Sequence, residues 1–123
     1  MHTKTIAIIG AGLAGLSTGC YAQMNGYSTH IFEHHSKAGG VAAAWRRDGC
    51  LYTLNHKGAY MSWLPSADNI LETIPRTLPG LSNFYMAGQW VTPGGSVPTS
   101  LFSGRQLIEV LCNQDGKKFA VPK

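Results

Sequence analysis

Three glycines and one carboxylate carry the most chemistry in this chain. Gly10, Gly12 and Gly15 follow the spacing Gly-x-Gly-x-x-Gly, directly after the apolar run Thr5-Ile6-Ala7-Ile8-Ile9. Each would have a separate task. Gly10 permits a tight turn off a strand, and Gly12 removes a side chain where a pyrophosphate must approach the backbone. Gly15 lets a helix pack closely on the strand it leaves. The free N–H groups of that helix start, at Leu13 and Ala14, and its positive dipole end would face the phosphates. Glu33 lies 23 residues beyond Gly10, the distance at which an acidic residue can accept hydrogen bonds from both hydroxyls of an adenosine ribose. A 2′-phosphate would be repelled there, which disfavours a ligand of the NADP type.

The other reactive side chains form no comparable pattern. No Ser/His/Asp or Cys/His arrangement stands out, and the chain has only 6 acids. Hydrolase chemistry is disfavoured, and no residue is assigned a catalytic role. His34 and His35 are adjacent at a strand exit and read as solvated loop residues rather than a metal pair. His2, His30 and His56 have no ligand spacing either, so no metal site is expected. Cys20, Cys50 and Cys112 are odd in number and widely spaced, which reads as free thiols in a reducing compartment.

Composition narrows the classes further. A chain of 123 residues makes one domain, and 44% hydrophobic against 13% charged residues calls for a globular core. So little charge solvates a large free surface poorly, so self-association or a ligand covering apolar surface is expected. The net charge of +4 suits an anionic ligand. It is too diffuse for nucleic acid, since Arg46-Arg47 and Lys117-Lys118 are the only basic doublets. The sequence enters its first strand at once, leaving no room for a signal peptide, and no apolar run is long enough to span a bilayer. A cytoplasmic protein without a transmembrane segment is expected.

The elements that would position these groups can be read in order. From Leu13 to about Asn25, Leu13, Leu16, Cys20 and Met24 recur at helical spacing. Gly19 continues the small-residue row begun at Gly15, and Asn25-Gly26 is a natural stop. Tyr27 to Phe32 is rich in β-formers, so strand, helix and strand make a parallel βαβ unit. A second glycine turn follows at Ser36 to Val41, with the pair Gly39-Gly40. Ala42–Arg47 and Cys50–Asn55 then flank Asp48-Gly49, a strong hairpin signal, although the alanine run is equally compatible with a helical turn. Leu71–Thr77 reads as a short helix stopped by Pro75 and then a linker. Asn83–Ala87 reads as an apolar strand beside the first one, ending at Gly88. Gly94 and Gly95 give an open turn. A helix from Val97 to about Cys112 is predicted, with Ser96 as N-cap, Pro98 in the first turn, and Leu101, Ile108 and Leu111 on one face. Trp45, Trp63 and Trp90 are expected to pack in the core.

Several of these stretches carry a resemblance. The βαβ start with Glu33, Gly39-Gly40 and the Trp45-Arg46-Arg47-Asp48-Gly49 hairpin resembles the N-terminal FAD segment of phytoene-desaturase-like flavoproteins. Those are oxidoreductases of the amine-oxidase and glutathione-reductase type. Leu78 to Trp90, Pro93 to Pro98 and Ser103-Gly104-Arg105 resemble the closing motif of the same family, and Lys57 to Pro65 resembles a stretch that lies late in it. Around Asn55 to Lys57 the chain jumps from the family's beginning to its end, so the substrate domain is missing. A natural mini-version, a gene remnant and a deliberate deletion all fit this pattern. The resemblance implies cofactor contacts at Gly10, Gly12, Leu13, Ala14, Gly15, Glu33, His34, Gly39, Gly40, Val41, Trp45, Gly88, Gln89, Gly95, Val97 and Pro98. Val41 departs from the family, where many members carry an arginine that touches the pyrophosphate. Gln89 stands where many have an aspartate holding the ribityl chain; an amide can make a similar hydrogen bond. The start of the last helix would point at the flavin, its dipole favouring negative charge on reduction. In relatives the Trp63 and Trp90 regions lie near the isoalloxazine, so the resemblance gives one of them the alternative role of stacking on it or quenching it.

The expected fold is α/β: a minimal Rossmann-like FAD-binding βαβ unit with a small parallel sheet, a β-hairpin and a C-terminal helix. Residues 1–123 form one domain, with 1–56 the dinucleotide-binding segment and 57–123 the flavin-contacting segment. The expected function is that of an FAD-binding flavoprotein, a truncated relative of these oxidoreductases that moves hydride to or from a small apolar, polyene-like substrate. Two rivals stand beside it: a non-catalytic FAD- or ADP-binding module or remnant, and an NAD-binding regulatory domain. With unpaired sheet edges, a homo-oligomer is expected.

Overall fold

The computed structural model describes residues 3–42, 45–47, 50–52, 74–92 and 96–121. Strand β1 spans Thr5–Ile9 and strand β2 spans Ser28–Phe32. They pair in parallel, in register from Thr5 opposite Ser28 to Ile9 opposite Phe32. Helix α1, Leu13–Met24, connects them. The βαβ unit is therefore formed, and its boundaries agree with the sequence reading to within a residue or two.

A short 3₁₀ turn at Gly40–Ala42 follows, so the alanine run opens as a helical turn. Next comes a separate antiparallel pair, β3 (Trp45–Arg47) and β4 (Cys50–Tyr52), with Arg47 opposite Cys50. That register leaves two residues for the connection, as Asp48-Gly49 predicts. Helix α2 runs from Val97 to Gln114. Ser96 caps it by accepting a hydrogen bond from the Thr99 N–H at 3.3 Å, and Pro98 lies in the first turn, where no N–H is needed.

The buried face of α1 differs from the one its apolar spacing predicts. Ser17, Thr18, Gly19 and Ala22 are buried, whereas Cys20 is exposed and Met24 is 51% exposed. Small residues face inward because α1 is pressed on both sides. A Cβ at Gly15 would lie 2.0 Å from the Gly10 carbonyl oxygen, and one at Gly19 would lie 2.9 Å from Ile31 Cδ1. On the other side, a Cβ at Gly104 of α2 would lie 2.6 Å from the Ala14 carbonyl oxygen and 2.8 Å from the Thr18 nitrogen. The buried hydroxyls are both satisfied: Thr18 donates to the Ala14 carbonyl within α1 at 2.8 Å, and Ser17 to the Leu101 carbonyl of α2 at 2.6 Å. In α2 the inward residues are Ser103, Gly104, Leu107, Ile108 and Cys112. Leu101, predicted to share a face with Ile108, is 39% exposed, because the glycine contact rotates the helix away from it.

Two further expectations fail. Asn83–Ala87 forms no strand beside β1; the parallel sheet consists of β1 and β2 alone among the described residues. Its backbone is committed elsewhere. Asn83 is left-handed at φ 59°, the Met86 N–H donates to the Arg76 carbonyl, and the Gly88 N–H donates to Ser103 Oγ. Trp90 is 57% exposed and is not a core residue. The predicted helix at Leu71–Thr77 lies partly outside the described residues, and Ile74–Thr77 is irregular.

The far end of the molecule is closed by a polar clasp around an apolar cluster of Ala22, Tyr27, Ile108 and Cys112. The Tyr27 hydroxyl donates to Asp115 at 2.9 Å, and Lys4 pairs with the same carboxylate. The Lys117 ammonium stands 4.2 Å over the Tyr27 ring. Asn25 holds the C-terminal segment by exchanging two hydrogen bonds with the Ala120 backbone. The Lys4 ammonium, and then Tyr27, hold the Asp115 carboxyl below its ordinary range. Burial, followed by the bond to Asp115, pushes the Tyr27 phenol up.

Gly104→Ala is expected to lower stability by about 1–3 kcal/mol in urea unfolding, the scale of forced overpacking. An ordinary helix interior would instead gain about 1 kcal/mol from the same change, so the sign alone tests the contact. Asp115 supplies a pH signature. A carboxyl whose pKa is depressed on folding contributes its stability above the unfolded value, about 4, and loses it as pH falls through the folded one. Urea midpoints should therefore decline through the acid range more steeply in the wild type than in Asp115→Asn. Parallel declines would show that the clasp does not couple to folding.

Candidate functional site

Both glycine turns converge at the C-terminal end of the parallel sheet. Gly10 leaves β1 at φ 98°, a conformation that L side chains rarely adopt, and its N–H donates to the Phe32 carbonyl at 2.7 Å. The turn off β1 is thereby tied to the end of β2. Gly12 is the N-cap of α1, and Leu13, Ala14 and Gly15 make the first turn. No side chain caps this helix and its first turn contains no acidic residue, so among the described residues no side chain accepts from the N–H groups of that turn.

The second turn folds back onto the first. The Gly39 N–H donates to the Ala11 carbonyl at 2.8 Å, and Gly12 and Gly39 form an isolated parallel bridge. Gly40 sits at φ 56° with its missing Cβ 2.9 Å from Gly12 Cα, so nothing larger fits between the two turns.

Glu33 joins them. One of its carboxylate oxygens accepts from the Ala11 N–H at 2.7 Å, and the other from the His35 N–H at 2.8 Å. The His35 N–H most, and then that of Ala11, hold the carboxyl below its ordinary range, against the desolvation that would raise it. The group is therefore a fixed, charged acceptor beside the glycine turn. A carboxylate has about four lone-pair sites, so the bonds to Ala11 and His35 leave acceptor capacity on it.

From the other side, Gly88 approaches the first turn of α1. It is buried at φ 126°, and a Cβ there would stand 3.6 Å from that of Ala14. Gln89, half-buried, follows in the same turn. The structure thus brings together Gly10 to Gly15, Glu33, Gly39, Gly40 and Gly88. His34 is exposed, its ring 5.8 Å from that of His35. Val97 and Pro98 are exposed at the start of α2. Val41 belongs to the 3₁₀ turn and Trp45 to β3, but their side chains lie outside the described residues, as do Gly95, Trp63 and the stretch Lys57 to Pro65.

Two participants escape the sequence reading. Ala11 supplies the N–H that pins Glu33, and Ser103, fully buried in α2, accepts from the Gly88 N–H at 2.9 Å. A signal existed for the second: a Ser-Gly pair inside a helix marks a face made for close approach. None existed for the first, since every residue but proline has an N–H.

The residues present fit a dinucleotide. Gly12 has φ −73°, open to any residue, and among the described residues a Cβ there would meet only Gly40 Cα, at 3.9 Å. The fold does not need glycine at that point. The space it leaves lies at an uncapped helix start, where a pyrophosphate accepts N–H bonds. A charged acceptor of the kind that ribose hydroxyls require, Glu33, stands at the same turn. Among the described residues, no group of three or more His, Cys, Asp or Glu comes together as a metal site, and no helix is long and apolar enough to cross a membrane.

No curated protein matches the chain. Among solved structures it is similar to a CLA-producing fatty acid isomerase from P. acnes, with 36% identity and a TM-score of 0.38 over 55% of this chain, and it spans 15% of that enzyme's length. The family model for an NAD(P)-binding Rossmann-like domain matches residues 8–74. Since that match takes in more than half of the chain, the protein belongs to the family of NAD(P)-binding Rossmann-like domains.

Proposed function

We propose that this domain binds FAD and is a truncated relative of phytoene-desaturase-like oxidoreductases. The observation that carries the reading is the meeting of the two glycine turns, Gly12 against Gly39 and Gly40, with the Glu33 carboxylate fixed to the same loop. A plain NAD site needs only the first turn. The second pair, and the likeness of Leu78 to Trp90 and Pro93 to Pro98 to the family's closing motif, favour a flavin. Glu33 beside the ribose position disfavours a 2′-phosphate.

In this reading the first-turn N–H groups of α1 bind the pyrophosphate and Glu33 accepts the ribose hydroxyls. The turn at Gly88 and Gln89, with Gly95, Val97 and Pro98, borders the flavin. When bound, FAD would supply hydride chemistry toward a small apolar, polyene-like substrate. The chain's own part is binding, orientation and electrostatics. A non-catalytic FAD- or ADP-binding module is the second reading, favoured by the jump at Asn55 to Lys57 that omits the family's substrate region.

Purified protein tests both. A yellow sample holding about one flavin per chain is expected, whereas a colourless one that cannot be reconstituted, yet binds NAD, would turn the assignment to a nicotinamide cofactor. Anaerobic reduction of the bound flavin by NAD(P)H or a polyene separates the enzyme from the module. Gly12→Val should abolish cofactor retention while leaving the fold, since its Cβ has room in the protein and its branches fill the pyrophosphate's place. Glu33→Gln should weaken binding by about 1–3 kcal/mol, the scale of a charge-assisted hydrogen bond. Unchanged affinity in titration calorimetry would reduce Glu33 to a loop staple.

A homo-oligomer belongs to the same proposal. Ile9 is 88% and Phe32 59% exposed at the end of a two-stranded sheet, apolar surface that a second copy would cover. Light scattering at micromolar concentration should report a dimer or larger species; a clean monomer removes this part of the reading.

A further inference from the structure

Arg76 is half-buried, and among the described residues all its side-chain partners are neutral. Its guanidinium donates to Ser103 Oγ at 2.9 Å and to the Ser103 carbonyl at 3.2 Å. The other terminal nitrogen donates to Thr92 Oγ1 at 2.9 Å and to Gln106 Oε1 at 2.7 Å. Four bonds of one rigid fork therefore bind three places on two segments: the end of the turn that begins at Gly88, and two successive turns of α2.

Ser103 is the hub. Its hydroxyl, fully buried, takes the Arg76 bond and the Gly88 N–H, and stands 3.0 Å from Thr92 Oγ1. The turn is closed internally by the Val91 and Thr92 N–H groups donating to the Gly88 carbonyl, at 3.2 and 3.1 Å. Its first residue lies against Ala14 in the first turn of α1. Arg76 thus fixes both ends of the Gly88–Thr92 turn, one through Ser103 and one through Thr92. This network meets the first glycine turn where Gly88 lies against Ala14, and touches neither Glu33 nor the second glycine turn in any contact described above.

We propose that Arg76 is a positioning residue that sets the Gly88–Thr92 turn as the flavin-side wall of the site, independently of the adenosine side. This rests on the FAD reading. The two halves of the ligand then answer to different residues. Gly12 and Glu33 serve the part that ADP shares with FAD, whereas Arg76 serves only the part that ADP lacks.

Titration of the full chain with FAD and, separately, with ADP tests this. In the wild type, FAD should bind more tightly than ADP; ADP binding without FAD binding would overturn the flavin reading itself. In Arg76→Gln, FAD affinity should fall about tenfold or more, the scale of losing charge-assisted hydrogen bonds, with ADP affinity unchanged. Arg76→Lys, which keeps the charge but not the fork, should recover part of the loss. The flavin absorbance bands should shift in Arg76→Gln, a change that a general loss of stability would not produce. Equal loss of both ligands, or no loss of FAD in a folded variant, would overturn the role of Arg76. Should Arg76→Gln fail to fold, Thr92→Val removes one acceptor at the far end of the turn. It should weaken FAD alone, and an equal effect on ADP would overturn the proposal.

Discussion

Helix α1 is held by the absence of side chains on either side of it. At Gly15 the helix meets its own turn so closely that a Cβ would stand 2.0 Å from the Gly10 carbonyl oxygen, far inside van der Waals contact, and at Gly104 the second helix reaches its backbone directly. Contacts this close gain dispersion energy over long stretches of main chain, but they forbid almost any rotation or translation of the helix. The direction of the α1 N-terminus is therefore fixed by packing rather than by the loop that precedes it. Everything at the site inherits that rigidity. The Gly88 turn lies against Ala14, the second glycine turn lies against Gly12, and both contacts presuppose a helix that does not move.

This constraint also explains which parts of the fold were legible in the sequence. Strand β1, the glycine turn, α1, β2, the hairpin and the capped start of α2 all follow from local signals: β-branched runs, glycine spacing, Asp-Gly, and Ser96 ahead of Pro98. The inward face of α1 follows only in part, through the small-residue row of Gly15 and Gly19. Apolar periodicity points to Leu13, Leu16, Cys20 and Met24, yet Ser17, Thr18, Gly19 and Ala22 are buried. Helices that approach through small residues bury backbone and hydroxyls instead of leucines, and a search for apolar stripes passes over them. Asn83–Ala87 fails for another reason. Its composition suits a strand, but strand formation needs a free edge in the right place, and here the Met86 N–H goes to the Arg76 carbonyl and that of the following Gly88 to Ser103.

The site shows the same division. Sequence spacing puts Glu33 at the end of β2, beside the glycine turn, but cannot show that its carboxylate is already engaged. Two backbone N–H groups from two different loops hold it, so the acceptor is oriented and ionised before any ligand arrives. A ribose would meet a group that has little rotamer freedom left to lose, which lowers the cost of binding. The carboxylate also ties the loop after β2 to the first turn, so in the proposed reading one residue would serve both the architecture and the ligand. Arg76 has the converse standing. It lies in a stretch that reads as linker, and its importance appears only when the Gly88 turn and α2 are in place around it.

The glycines separate by the same reasoning into those the fold demands and one it does not. Gly15, Gly40 and Gly104 are each forced by a backbone neighbour closer than 3 Å to the missing Cβ. Gly12 has no such neighbour among the described residues and an unstrained φ. At a helix N-cap its presence costs stability. A serine, threonine or aspartate there would satisfy an N–H of the first turn, and any residue with a side chain would lose less conformational entropy on folding. Among the described residues, nothing in the folded chain repays that cost. A ligand would, because the same uncapped N–H groups and the same vacant direction are what a pyrophosphate needs to come within hydrogen-bonding distance. The glycine that contributes least to the fold is thus the one that argues most strongly for a bound dinucleotide.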